Sequence, residues 1–384
     1  EYSSTIPDKD DGYVVEKVVC DNGATGEWNN DKWGLLTTNL SKRAKCNVYF
    51  KKVVSKVPDI IATVDTSGKC PTMNADGSVS VTAKEVTNGY LCKAKDSYGD
   101  SYYYRGNVTN NYVKFADKYW RIVRINGDGT VRVIYDGTSS HANGESSSDR
   151  QIGTSAFNRS YNDNAYVGYM YGATGASTYA AAHANTNDST IKAYIDNWYK
   201  ANILGTANEE YLADNIFCND RSISSNKPSS SFNNLGYGAN ATAYRWYYFA
   251  NSSYNNKMML TCPQQNDAFT VSDTINGNGA LTYPIGLLSM DEIVLAGGWS
   301  TSSGWSTSNS GYYLYSGQVW WASSPFSFDG NNAFVRGVLS NGNANLDCYV
   351  NSASGVRPVF NLKADTLAQG SGTASDPYRI SLTS

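Results

Sequence analysis

The sequence predicts an α+β fold with high loop content, preceded by a small all-β module. Three observations carry this. Short apolar runs separated by Asn/Gly turns dominate both ends of the chain. Two segments carry helix signals, one by apolar spacing from Ser189 to Ile203 and one by the start signature Ser289-Met290-Asp291-Glu292. Between them lie long stretches of Gly, Asn, Ser and Tyr in which neither period holds.

Residues 1–11 are polar, with Pro7 and the acidic cluster Asp8, Asp10 and Asp11, and read as a linker. Strand-like runs follow: Tyr13 to Val19, Ala24 to Trp28, Trp33 to Leu36 and Lys45 to Val53. Turns Asp21-Asn22-Gly23 and Asn29-Asn30-Asp31 separate the first three, so residues 1–57 predict a small β-sandwich acting as a spacer or stalk. Trp28 and Trp33 are assigned to its core, with sugar binding as the alternative. Residues 58–101 are read as a connector, with a turn at Asn74-Ala75-Asp76-Gly77 and a strand from Ser78 to Ala83. The second domain is placed at 102–384.

That domain opens with Tyr102 to Gly106 and Tyr112 to Phe115. Tyr119 to Ile125, the turn Asn126-Gly127-Asp128-Gly129, and Thr130 to Tyr135 then predict a β-hairpin. From Asp136 to Asp188 long loops are expected. His141 and His183 fall here and read as surface histidines, since no carboxylate or Cys cluster surrounds either in sequence. Ser189 caps the predicted helix, and Ile191, Tyr194, Ile195 and Trp198 form its buried stripe. Residues 218–262 form a loop-rich excursion with the aromatic cluster Tyr244, Trp246, Tyr247, Tyr248 and Phe249. The second helix should end near Ala296-Gly297-Gly298, and Tyr378-Arg379-Ile380 is a last strand.

Composition narrows the function. Charged residues are 17% and aromatics 13%, led by 30 Tyr among abundant Ser, Asn and Gly, the residue types that binding surfaces favour. A net charge of −3 gives no reason to expect a nucleic-acid partner. No apolar run reaches ~18 residues, so membrane association is expected only through an anchor outside the given sequence. The chain begins at Glu1-Tyr2-Ser3, with the expectation that a signal or anchor has been removed. Of seven cysteines, six fall into local pairs, 20–46, 70–92 and 218–262, with no CxxC spacing and no neighbouring His. Cys20–Cys46, Cys70–Cys92 and Cys218–Cys262 are therefore read as disulfides of a secreted or cell-surface protein, and no metal site is expected. Cys348 is left over.

The stretch from Val319 to Phe360 stands out. It opens on Trp320-Trp321-Ala322-Ser323-Ser324-Pro325 and closes on Gly355-Val356-Arg357-Pro358-Val359. Between these ends Gly330, Ala333, Val335, Gly337, Val338, Leu339, Gly342, Leu346 and Val350 space out polar and aromatic residues. Together with Tyr119-Trp120-Arg121-Ile122, the two end motifs make the chain from about Tyr102 onward resemble the C-type-lectin-like fold in its formylglycine-generating-enzyme-type branch. Within that branch the C-terminal layout resembles the variable proteins of diversity-generating retroelements. In that family reverse transcription randomises adenine-containing codons near the end of the gene, and the changed residues form a ligand-binding face.

The resemblance implies a variable face over 322–354: Ala322, Ser323, Phe326, Ser327, Phe328, Asn331, Asn332, Phe334, Arg336, Asn343, Asn345, Asp347, Cys348, Tyr349, Asn351, Ser352, Ala353 and Ser354. Many of these types are reachable from an Asn codon by changing adenines, and Cys348 is then one draw from that set. The expected function is an exported bacterial or phage binding protein that recognises a protein or glycan, with Phe326, Phe328, Phe334 and Tyr349 as apolar anchors and Arg336 as a polar contact. No catalytic residue and no cofactor is assigned. Formylglycine-generating enzymes use cysteine chemistry at a copper site, whereas this chain offers a lone Cys348 far in sequence from either His. A fixed, calcium-independent lectin or adhesin is the alternative. Arg357 is assigned a structural role, paired with a carboxylate.

Overall fold

The computed structural model describes residues 5–8, 12–30, 32–39, 43–224, 241–247, 257–299, 308–344 and 346–380. The first module contains four strands, β1 (Tyr13–Cys20), β2 (Thr25–Asn29), β3 (Gly34–Thr38) and β4 (Cys46–Lys52). They form two antiparallel ribbons, β1–β4 and β2–β3, rather than larger sheets. Trp28 lies 5.3 Å from both Trp33 and Phe50, edge to face, which places both tryptophans in the module's small core. Cys20 and Cys46 are register partners at one end of β1–β4 and are joined as a disulfide.

The next strands are β5 (Gly89–Asp96), β6 (Gly99–Gly106), β7 (Tyr112–Phe115), β8 (Lys118–Ile125) and β9 (Val131–Gly137). The predicted hairpin is present as β8–β9, with the Gly129 N–H donating to the Asn126 carbonyl at 2.9 Å. One boundary needs correction. β5 pairs with β6 along its whole length, from Gly89 opposite Gly106 to Asp96 opposite Gly99. The connector placed at 58–101 therefore supplies a strand of the main sheet, and a domain boundary at 101/102 would cut β6. The reason is burial: Leu91, Cys92 and Ala94 join the main core, so β5 cannot stand outside it. The Cys70–Cys92 disulfide ties the preceding segment onto β5.

Both predicted helices form. Helix α1 (Thr190–Asn202) is capped by Ser189, whose Oγ accepts the Lys192 N–H, and it buries Ile191, Ile195 and Tyr199. Helix α2 (Met290–Leu295) starts with a complete capping box: Ser289 N–H donates to Glu292 Oε2 at 2.9 Å, and Glu292 N–H donates to Ser289 Oγ at 3.3 Å. Four longer strands follow, β10 (Trp320–Phe328), β11 (Ala333–Val338), β12 (Leu346–Tyr349) and β13 (Val359–Leu362).

β13 pairs with β9, so the C-terminal part returns to the hairpin and gives the order β13-β9-β8-β6-β5. β7 pairs with β8, and Tyr378–Arg379 adds to β7 in parallel, making seven strands. A second sheet runs Thr154–Ser155, Ser354–Gly355, β10, β11, β12, with Thr242–Ala243 also paired to β10. Pro325 sits inside β10 because the register shifts on both sides of it, and a bulge removes the need for its missing N–H. The architecture is mixed α+β and dominated by sheet.

The two sequence motifs at the ends of the second domain meet on one buried carboxylate. Arg357 Nη2 donates to Asp136 Oδ1 at 2.9 Å, and Arg150 Nε donates to the same oxygen at 2.8 Å. Arg121 lies 3.8 Å over the Tyr112 ring beside them. Burial pushes the Arg357 guanidinium down to about 9 and Asp136 opposes that shift. Its structural pairing with a carboxylate is as expected from sequence.

Candidate binding face

The outer face of the second sheet is built by strand alternation. In the β11–β12 pair, Phe334 lies opposite Tyr349 and Arg336 opposite Asp347, while Val335 lies opposite Cys348. The first four residues share one face and the last two share the other. Phe326 on β10 brings its ring to 6.4 Å from Phe334, and Phe334 lies 4.6 Å from Tyr349. Tyr247 stacks on Phe326 at 4.9 Å. The result is a row of four rings, Tyr247–Phe326–Phe334–Tyr349, with Tyr349 47% exposed at its end.

Arg336 lies beneath this row. Its guanidinium is 4.1 Å from the Phe326 ring centre, and Nη2 donates to the Trp246 carbonyl at 3.0 Å. It is only 3% exposed, and burial lowers its pKa to about 10 against the pull of Asp347. The turn between β10 and β11 is closed by Asp329, whose Oδ1 accepts the N–H groups of Asn331 at 2.8 Å and Asn332 at 2.7 Å.

The residues expected on the variable face separate into three groups. Asn331, Asp347, Tyr349, Asn351 and Ala353 are exposed, and Phe326, Asn332, Phe334, Cys348 and Ser352 are half-buried. Ala322, Ser323, Ser327, Phe328, Arg336, Asn343 and Ser354 are buried, which corrects their placement as contact residues. Each has an internal task or seat. Ser323 Oγ donates to the Cys218 carbonyl at 2.6 Å, Ser327 and Phe328 face the Thr242–Ala243 strand, and Ser354 pairs with Ser155. The Asn343 N–H is held by Asn341 Oδ1 at 3.1 Å, and Ala322 fills the core. Cys348 is corrected as well: it packs toward the core opposite Val335, because it alternates with Tyr349 along β12. Asn345 lies outside the described residues, as do Tyr248 and Phe249 of the aromatic cluster. The spacers Ala333, Val335, Val338, Leu339 and Val350 are all buried.

Tyr247 joins the face although nothing in its local sequence places it there. It arrives from the excursion closed by the Cys218–Cys262 disulfide, which spans a sequence separation of 44. Arg245 pins that excursion, with Nε 2.5 Å from Asp220 Oδ2 and Nη2 on Asp291 in the first turn of α2. Trp246 Nε1 also donates to Asp291 at 3.0 Å. The density of aromatics at 244–247 was a readable signal; the long-range seat on β10 was not.

Both histidines are buried, correcting their assignment to the surface. His141 lies between two carboxylates, Nδ1 2.7 Å from Glu145 Oε1 and Nε2 2.9 Å from Asp149 Oδ2. The four-residue spacing of 141, 145 and 149 held that signal. His183 is pushed down to about 2 by burial and by Arg221, so it stays neutral. Among the described residues no group of three or more His, Cys, Asp or Glu side chains could hold a metal ion, and no helix is long and apolar enough to cross a membrane. The three disulfides are those paired from the sequence and suit an oxidising compartment. No protein-family model, curated protein or solved structure matches the chain.

Proposed function

We propose that this is an exported ligand-binding protein that recognises a macromolecule through the outer face of β10–β12. The supporting observation is the row Tyr247–Phe326–Phe334–Tyr349, three rings on the sheet and one from the excursion stacked on it, with polar, exposed Asn331, Asp347 and Asn351 in the same stretch. Rigid aromatic anchors lose little conformational entropy on binding and gain large contact area. The equilibrium act is recognition, and no bond-making step is assigned. The C-type-lectin-like resemblance adds diversification by a retroelement to this reading, on the residues of the face that solvent reaches.

The test is genetic. The codons for 322–354 are sequenced in sibling strains, and the flanking DNA is searched for a near-copy beside a reverse-transcriptase gene. Variation should concentrate at Asn331, Phe334, Asp347, Tyr349 and Asn351 and spare Ala333, Val335, Val338 and Val350. Identical alleles with no near-copy would sink diversification and leave a fixed lectin or adhesin. Variation spread evenly over buried and exposed positions would count against the face itself.

A further inference from the structure

Away from the aromatic row, the loop spanning 270–279 carries the most exposed large apolar side chain among the described residues, Ile275, at 85%. A single exposed isoleucine is ordinary on a protein surface. This one sits on a loop whose backbone groups are tied down. Asp214 accepts the N–H groups of Val271 at 2.8 Å, Ser272 at 2.7 Å and Asp273 at 3.0 Å. Asp273 Oδ1 accepts those of Ile275 at 2.8 Å and Asn276 at 3.0 Å. Gln265 Nε2 donates to the carbonyls of Thr274 at 2.9 Å, Ile275 at 3.1 Å and Gly277 at 3.0 Å. A tip held this way is ordered before any partner arrives, so little entropy is lost on contact.

The surroundings are acidic. Tyr98, in the β5–β6 turn, donates its hydroxyl to Asp273 Oδ2 at 2.8 Å. Asp214 accepts the Asp273 N–H, and the next residue, Asn215, donates its Nδ2 to Asp128 Oδ2 at 2.9 Å, which brings the three carboxylates into one region; burial, then Asp273, Asp128 and Asp214, hold the Tyr98 hydroxyl well above its ordinary range. None of the three makes an ion pair with a described residue. An apolar tip beside carboxylates that have no cationic partner among the described residues fits an apolar surface flanked by cations.

The chain carries such a surface in its first module. On the β1–β4 ribbon Lys17 lies opposite Tyr49 with Nζ 4.8 Å from the ring, Val19 opposite Asn47, and Lys51 opposite Val14. Lys17 and Lys51 are exposed and Val19 is 48% exposed. These side chains alternate with Phe50, which points the other way into the Trp28–Trp33 core. Glu16 is the one carboxylate of the two strands, against Lys17, Lys51 and Lys52.

We propose that the Ile275 tip of one molecule docks on the Lys17–Tyr49–Lys51 face of a second copy, a contact between unlike surfaces that joins copies head to tail. None of the residues it uses belongs to the β10–β12 face.

The full chain is examined by sedimentation velocity from micromolar to millimolar concentration, at low and raised salt. Association should rise with concentration and weaken with salt. Ile275→Ser, and separately the pair Lys17→Glu with Lys51→Glu, should each weaken it about tenfold or more. An equimolar mixture of the two variants should recover association that stops at a 1:1 pair, because each supplies one intact surface. A folding defect in either variant could not produce that recovery. A wild-type chain that stays monomeric throughout, association that both variants retain, or a mixture that does not recover would each overturn the proposal.

Discussion

Arg336 and Tyr349 show how exposure separates roles on one strand pair. Their side chains share a face, yet Arg336 is sealed under Phe326 and bonded to the Trp246 carbonyl while Tyr349 stands half in solvent. Arg336→Ala should cost about 3 kcal/mol in urea unfolding, because it opens a cavity and removes a buried hydrogen bond to the Trp246 carbonyl. Tyr349→Ala should cost less than about 1 kcal/mol, since it removes partly solvated surface. The reverse order would place Arg336 outside and Tyr349 in the core. Once a ligand is in hand, the same two variants should divide differently: Tyr349→Ala loses affinity directly, and Arg336→Ala loses it only by loosening the ring row.

At the level of the element, α2 is fixed by charge as well as by its cap. Glu292 closes the capping box and also meets Arg124 Nε at 3.1 Å and Arg132 Nε at 3.0 Å. Burial alone would raise its carboxyl; the charges of Arg132 and Arg124, with the hydrogen bonds from the Ser289 N–H and Arg124, outweigh burial and hold it below its usual value. A folded pKa below the unfolded one, about 4.3, gives stability that is present above that value and is lost as pH falls through the folded pKa. Urea unfolding should therefore show stability dropping as pH falls below about 4.3. Glu292→Gln should flatten that drop and cost about 3–5 kcal/mol at pH 7, because the Arg132 charge is left buried without its partner. A variant that keeps the wild-type slope would assign the acid sensitivity to other carboxylates.

Across the whole molecule, stability is uneven. The first module has little beyond Trp28, Trp33 and Phe50 to bury, whereas the second domain holds two multi-stranded sheets and several closed arginine–carboxylate clusters. The Cys20–Cys46 bond, with a sequence separation of 26, closes a loop whose restriction in the unfolded chain is worth about 3.5 kcal/mol. Replacing both cysteines by Ser should unfold the module alone. Limited trypsin digestion should then cut within residues 12–53 and leave the second domain intact. Simultaneous loss of both parts would mean that they unfold as one unit.

The sequence by itself determined the local decisions. Alternation and Asn/Gly turns set the β8–β9 hairpin, Ser189 and Ser289 set two helix starts, and local spacing paired six cysteines. It also marked the stretch from Val319 to Phe360 as the unusual one. Contacts between distant segments were decided only in the tertiary structure. Nothing local says that Gly89–Asp96 joins the main sheet, that Tyr247 stacks on Phe326, or that Arg121 and Arg357 gather around Asp136. The same limit explains the face. Polar and aromatic residues in a strand read alike whether they point out or in. Only the register of β10, β11 and β12, together with the Phe326 ring and the excursion that covers Arg336, decides that Tyr349 meets solvent while Arg336, Phe328 and Ser323 are buried.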